Sequence, residues 1–412
     1  MSNIAIIAEY NPFHNGHKLH MEEAVRLAGE AGFPCGGSPR EDHCVIAVMS
    51  GDFTQRGHAA VFSKWKRAEA AVVCGADLVL ELPVWAACGG AEVFAAGGVG
   101  LLNSLGNIDF LAFGAEDDGA DLEEAARILE EEDGELSAAI KKALGEGKSF
   151  AAARSEAVAA TGHVKTAGLL SKPNNILGVE YLKQLIRTES VIKPLVIERK
   201  YAGYFGESDK GFAGAGFIRE KMKEGLTISD LSAYIPPGAA EVFLGEVPVF
   251  NEDLFGLIVY RLVSEDKSRL SEIDGAVEGL ENRAVKAAYE ASDYESLVDR
   301  IKSKRYSRTA VERLMARTVL GITKEDVAAF RRSDKAYARV LAFNDHGAAY
   351  LRDLRKNENI TVISNVSKEV PSNPVLERMV AADVKAADIY DLISTGRVGL
   401  EKKRHSIKVS HE

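Results

Sequence analysis

His14 and His17 flank Asn15 and Gly16 in a His-x-Gly-His arrangement. Two imidazoles facing one spot can donate hydrogen bonds to phosphate oxygens. They would stabilise the charge that shifts to the leaving group when a nucleotide is attacked at its α-phosphorus. A metalloprotease pair needs a glutamate between two histidines spaced i, i+4 on one helix, and that geometry is absent. Ser50-Gly51-Asp52-Phe53-Thr54-Gln55-Arg56-Gly57 offers polar contacts for a small second substrate, or a loop of capping residues. Lys64 is read as a candidate fixed positive charge for a phosphate or carboxylate. Gly114 would let a ribose or base approach a strand end, or is an ordinary turn glycine. Asn174 and Asn175 read either as adenine or ribose contacts or as turn formers beside Pro173. Arg199, Lys200 and Arg219 are candidates for phosphate pairing. Farther on, Arg300, Lys302, Lys304, Arg305, Tyr306, Arg308, Arg313 and Arg317 form a basic cluster with one aromatic residue. It suits RNA phosphates or a merely solvated helix face. Cys35, His43 and Cys44 match no standard zinc spacing, and no residue is assigned as a metal ligand.

These residues need elements to hold them. Ile4-Ala5-Ile6-Ile7-Ala8 reads as a buried strand, broken by Pro12 and Gly16, with a helical pattern from His17. Strand, loop and helix start in this order put backbone N–H groups and a positive helix end where a phosphate can sit. Further strands are expected at 45–49, 78–82, 110–113 and 194–197, with helices over 65–73 and 91–104 between them. Strands alternating with helices predict an α/β fold with a doubly wound, Rossmann-like parallel sheet. Ligands in such sheets bind beyond the carboxyl ends of the strands. The stretch 29–43 reads as a long surface loop, 171–178 as a turn, and Pro236-Pro237-Gly238 as a linker. The expected division is therefore a catalytic domain over 1–235 and a mainly helical region over 236–412, with a short strand at Thr361-Val362-Ile363.

With 412 residues, the chain is long enough for two or three domains. Its 46% apolar content is ordinary, and no signal peptide or membrane-spanning stretch is evident. The four cysteines form no CxxC pair, which fits reduced thiols in a cytoplasm. A net charge of −10 argues against a generally nucleic-acid-binding surface but not against a local basic face.

Taken together, AEYNPFHNGH, VMSGDFTQRG, SKWKRAE, GADLVLELP, FGAE and KPNNILGVEYLK resemble the bacterial tRNA(Met) cytidine acetate ligase family, within the HxGH nucleotidyltransferase superfamily. KRYSRTAVERLM and VKAADIY extend the resemblance into the C-terminal half. It implies an ATP-dependent ligase that makes acetyl-adenylate from acetate, then acetylates N4 of the wobble cytidine of elongator tRNA(Met). It implies ATP contacts at Ile7, Ala8, Glu9, Tyr10, Asn11, Pro12, Phe13, His14, Asn15, Gly16, His17, Lys18, Leu19 and His20, and at Gly114, Asn174, Arg199 and Lys200. His14, His17 and Lys64 would be the catalytic groups, with Mg²⁺ on the phosphates and the basic C-terminal helices on the tRNA. One departure stands out. The family usually carries hydroxyl side chains before its Ile-Arg pair, where this chain has Ala213-Gly214-Ala215-Gly216 before Phe217-Ile218-Arg219. Two alternatives remain open. One is an HxGH enzyme acting on a protein or small molecule, as citrate lyase ligase does. The other is a non-catalytic nucleotide-dependent RNA-binding protein.

Overall fold

The computed structural model describes residues 2–31, 43–131, 134–199 and 211–410. Cys35, most of the stretch 29–43, and Lys200 lie outside the described residues. The backbone is organised around one eight-stranded sheet. Its strands are β1 (Ser2–Ala8), β2 (His43–Ser50), β3 (Leu78–Leu82), β4 (Phe110–Ala115), β5 (Lys193–Glu198), β6 (Ala336–Phe343), β7 (Ile360–Ile363) and β8 (Ile407–Lys408). The spatial order is β5-β4-β1-β2-β3-β6-β7, with β8 also pairing β6.

The first five strands run parallel. Every residue of β2 is buried, as befits a parallel strand covered on both faces. Along β1 the side chains alternate between two cores. Ile4 and Ile6 enter one with Val45 and Phe110, while Ala5 and Ile7 enter the other with Ile46 and Val48. The chain steps outward from β1 to β2 to β3, then returns to build β4 and β5 on the other side of β1. The order therefore reverses between β1 and β4. A crevice opens beyond the carboxyl ends of strands at such a reversal.

Two expectations about organisation are corrected. Pro236-Pro237-Gly238 is no linker. Pro237 opens the helix Pro237–Phe243, a position where its missing N–H is tolerated. That helix packs on the helix Lys64–Val73 so closely that a Cβ on Gly238 would lie 2.6 Å from Val73. Its Phe243 stacks on Phe62 at 4.6 Å in the core beneath β1 and β2. Nor does 236–412 stand as a separate body. It is mainly helical, but β6 pairs antiparallel with β3, and β7 and β8 pair parallel with β6. A strand was expected at 361–363, where β7 begins one residue earlier, whereas β6 was not, because Tyr337 and Arg339 interrupt its apolar run. The segment 171–178 is only partly a turn, since the helix Pro173–Arg187 begins within it. No helix of the described residues is long and apolar enough to cross a membrane.

Candidate active site

The reversal point is closed by the bend that follows β1. Tyr10 adopts a left-handed backbone (φ 47°), which turns the chain out of the strand. Several bonds then fix the bend from outside. Glu9 accepts from the Gln55 backbone N–H at 2.7 Å, and Asn11 from that of Val61 at 2.7 Å. Arg67 is fully buried and donates to the carbonyls of Glu9 (2.6 Å), Ser50 (3.1 Å) and Phe62 (2.9 Å), and also to that of Gly51. It ties the β1 bend to the β2 loop. On the far side, Arg219 donates to the Asn11 carbonyl at 2.5 Å, and Asn15 Nδ2 donates to the Gly211 carbonyl at 2.7 Å.

His14 caps the helix Asn15–Glu30. Its Nδ1 accepts the Gly16 backbone N–H at 3.0 Å, while its own backbone N–H donates to His17 Nδ1 at 3.3 Å. The two rings stack with centroids 3.7 Å apart. Gly16 is required for this arrangement, because a Cβ there would come within 2.9 Å of His14 Cε1. Both Nδ1 atoms act as acceptors, so the proton of each neutral imidazole sits on Nε2. The bend thus offers Nε2–H donors from two rings. Burial, reinforced by Arg199 and Arg219, lowers the His14 pKa to about 3. Burial followed by His14, His20 and Arg199 holds His17 well below the usual imidazole range, and burial with Arg199 brings His20 to about 4. The donors are therefore neutral, and the fixed charge around them belongs to guanidinium groups.

This geometry changes one expectation. The backbone N–H groups at the helix start are already bonded. Asn15 donates to the Tyr234 carbonyl at 2.9 Å, Gly16 to His14 Nδ1, and His17 to the His14 carbonyl at 2.9 Å. The imidazoles replace them as the donors available at this end of the helix.

Across the crevice, a Cβ on Gly114 would meet Arg199 Cδ at 3.2 Å, so the glycine makes room for the arginine. Asn174 donates to Glu116 at 2.5 Å. Asn175 is fully buried and brackets the same turn through Glu116 and Asp117. Gly114, Asn174 and Arg199 thus gather at the end of β4, with Arg199 within electrostatic reach of His20. Ile7 and Ala8 belong to the strand and its cores, and Tyr10 and Phe13 are buried beneath the rings, with Tyr10 5.0 Å from both Phe13 and His17. Lys18 and Leu19 point outward; Lys18 stands 4.0 Å from Glu22, an exposed i, i+4 pair. The start of the helix Ala215–Lys223 carries no side-chain cap, and a Cβ on Gly216 would meet nothing within 4 Å.

Lys64 is placed elsewhere, which corrects its assignment as a phosphate-binding cation. It is 1% exposed, with Nζ 2.8 Å and 2.9 Å from the two oxygens of Glu81 and 2.9 Å from Glu401. Both carboxylates already hold its charge. Asp52 caps this helix instead of reaching toward a substrate, accepting the Lys64 backbone N–H at 2.7 Å. Arg67, which the sequence did not single out, is the residue of that helix that shapes the site. Its position after Trp65 on an apolar helix face was the available signal.

Among the described residues, no group of three or more His, Cys, Asp or Glu side chains converges as a metal site.

The HIGH Nucleotidyl Transferase family model matches residues 1–405. Proteins of Acetivibrio thermocellus and Caldanaerobacter subterraneus subsp. tengcongensis, both named tRNA(Met) cytidine acetate ligase, are 37% and 38% identical to this chain. The alignments cover 95% of this chain and 94% and 95% of theirs. The crystal structure of Thermotoga maritima TmcAL bound with alpha-thio ATP superimposes with a TM-score of 0.87 at 29% identity, covering 100% of both chains. The apo form gives 0.90 at 30% identity, again covering 100% of both. The chain belongs to the tRNA(Met) cytidine acetate ligase family of HIGH nucleotidyl transferases.

Proposed function

We propose that this protein joins acetate to AMP in the crevice between β1 and β4, then passes the acetyl group to N4 of the wobble cytidine of elongator tRNA(Met). The observation that carries this reading is the stacked His14–His17 pair, with both Nδ1 atoms occupied and Nε2–H left to donate. An acetate oxygen attacks the α-phosphorus, and the bond to pyrophosphate breaks. Both partners are anions, so the rate must come from positioning and charge neutralisation. His14 and His17 donate to the phosphate oxygens as negative charge moves to the leaving group. Arg199 and Arg219 supply the fixed positive charge. The N4 amine of the cytidine then attacks the acetyl carbonyl and AMP departs.

Gly114 and Asn174 hold the nucleoside end, with Asn174 positioned by Glu116. Lys200, outside the described residues, is kept as a nucleotide contact on the family resemblance alone. At the Ala213–Gly216 departure, the uncapped helix start can offer backbone N–H groups in place of hydroxyls. Magnesium belongs to the substrate here. The described residues form no cage for it, and it would arrive on the triphosphate with its waters. Acetate as the acid and the cytoplasm as the setting follow from the family's reaction.

The test is direct. Purified protein is incubated with ATP, labelled acetate and total bacterial tRNA, and the RNA is digested to nucleosides. Label in N4-acetylcytidine is the expected result. Its absence, with acetate-dependent exchange of pyrophosphate into ATP intact, would leave an adenylating enzyme with another acceptor.

A further inference from the structure

Most of the basic cluster expected to face RNA is internally neutralised. Arg300 meets Glu290 at 2.8 Å, Lys302 meets Asp299 at 2.7 Å, and Arg305 meets Glu278 at 2.6 Å. Arg308 contacts Glu295 at 2.6 Å and Glu312 at 2.8 Å. Exposed pairs of this kind leave little net charge for a polyanion.

Arg313 is different. It lies on the helix Arg308–Leu320, one turn before Arg317, and its guanidinium has no hydrogen-bond or ion-pair partner among the described residues. Arg317 is 5% exposed and uses Nη1 on Asp274, leaving Nε and Nη2 buried without partners. Burial, with Arg317 alongside, pushes the Arg313 pKa down to about 10. The β2 loop sits directly on this turn. A Cβ on Gly57 would come 2.6 Å from the backbone N and Cα of Arg313. That contact brings the exposed Arg56 next to it, and Arg56 also lies within electrostatic reach of Arg219. The nearby acids are engaged. Glu312 holds His58 (3.1 Å) and Arg308, and Glu9 accepts the Gln55 N–H.

We propose that Arg313, with Arg56 and Arg317 beside it, binds a phosphodiester group of the RNA strand next to the nucleotide being acetylated. The proposal rests on the RNA-acetylating function above. The guanidiniums continue from Arg219, which holds the Asn11 carbonyl at the adenylating bend, to the helix that carries Arg313. A single carboxylate would neutralise only one of them. A strand with regularly repeated charges satisfies the row, and the planar guanidinium fork matches two phosphate oxygens.

The test compares Arg313→Ala, Arg313→Lys and Arg56→Ala. Two readouts are used: tRNA binding over a salt series, and acetate-driven ATP–pyrophosphate exchange without RNA. Arg313→Ala is expected to weaken tRNA binding about tenfold and to reduce the slope of log K against log salt by about 0.7–0.9, the release of one phosphate contact. Arg313→Lys keeps the slope and loses part of the affinity, because the charge stays and the fork goes. Exchange without RNA stays within about twofold. Should Arg313→Ala fail to fold, Arg56→Ala reads the same slope from an exposed loop. Unchanged affinity and slope in these variants overturn the site. So does exchange that falls in step with binding, which would assign the guanidiniums to the adenylation half-reaction. Wild-type protein that acetylates no RNA overturns the function itself, a result distinguishable from either.

Discussion

The bend at 9–20 and the seam between β3 and β6 both bury ionisable side chains, and they differ in whether those side chains meet opposite charge. At the seam, Glu81 stands opposite Arg339 in the strand register, and Lys64 lies between Glu81 and Glu401. Glu401 also accepts from Trp65 Nε1 at 2.9 Å and from Arg339 at 3.3 Å. Asp383 accepts the Val84 N–H at 2.8 Å and the Tyr337 hydroxyl. At the bend, Arg199 faces all three histidines and Arg219 faces His14, and the nearby carboxylates Glu116 and Glu9 also accept from Asn174 and from the Gln55 backbone N–H. A self-satisfied cluster holds a fold together. One with donors and like charges left over is arranged for an anion that arrives later.

Removing the seam's cation should have the largest effect on stability. Lys64→Met keeps the side-chain bulk but takes the ammonium from Glu81 and leaves buried Glu401 with Arg339 and Arg404 as its remaining cations. A loss of about 3–5 kcal/mol is expected in urea unfolding. The surviving folded fraction should keep its exchange rate per molecule. Loss of exchange with full stability would move Lys64 back into the chemistry and erase the contrast.

The reverse pattern is expected at the bend. His17→Ala removes one Nε2–H donor and should lower acetate-dependent exchange about 10²–10³-fold, roughly 2.7–4 kcal/mol of barrier. Loss of the reciprocal cap costs only about 1 kcal/mol of stability, and tRNA binding should persist. Gly16→Ala is a finer probe, because its Cβ would push the His14 ring without removing any donor. A displaced ring is expected to slow exchange by about tenfold to a hundredfold while the protein stays folded. A Gly16→Ala enzyme with normal exchange would separate the ring's position from catalysis.

The same contrast explains what the sequence could reveal. The first five strands were legible because each is a short, mainly apolar run stopped by glycine, proline or a polar turn; Ile4–Ala8 is wholly apolar, and Leu78–Leu82 carries one charge, Glu81. The histidine bend was legible because its strand, loop and helix are adjacent in the chain. What was missed depends on partners far along it. Nothing near Lys64 indicates that Glu401 will reach it, so a buried structural lysine read as a free cation. Strand β6 was hidden because Arg339 looks solvent-facing until Glu401 is brought to it. Pro237 looked like a break because proline at a helix start and proline in a linker are locally identical. The C-terminal basic cluster left two readings open for a related reason, since Glu278, Glu290 and Glu295 reach Arg305, Arg300 and Arg308 only after folding.

Titration separates the two regions by sign. His14 has a folded pKa of about 3 against 6.5 when unconstrained. Above pH 6.5 it is neutral in both states and contributes nothing to the slope. Below that, the unfolded chain takes up a proton that the native protein refuses, so stability falls as pH drops from 6.5 toward 3, by up to about 1.4 kcal/mol per unit. Glu81 behaves oppositely. Burial, with Asp383 and Glu401 adding and Lys64 opposing, raises it from 4.5 to about 8. Its neighbour Glu401 is lowered to about 2 despite its own burial, because Lys64 and Arg339 both face it. The shared proton therefore sits on Glu81, and stability falls as pH rises from 4.5 to 8. Between 4.5 and 6.5 the regions pull against each other. His14→Asn keeps a good helix cap and deletes only the imidazole's titration. Its urea midpoint should approach or overtake wild type as pH falls below 6.5. Glu81→Gln should instead flatten the decline above that pH. If His14→Asn parallels wild type throughout, the ring is protonated in the native state, and the neutral Nε2–H donor assigned to it is lost.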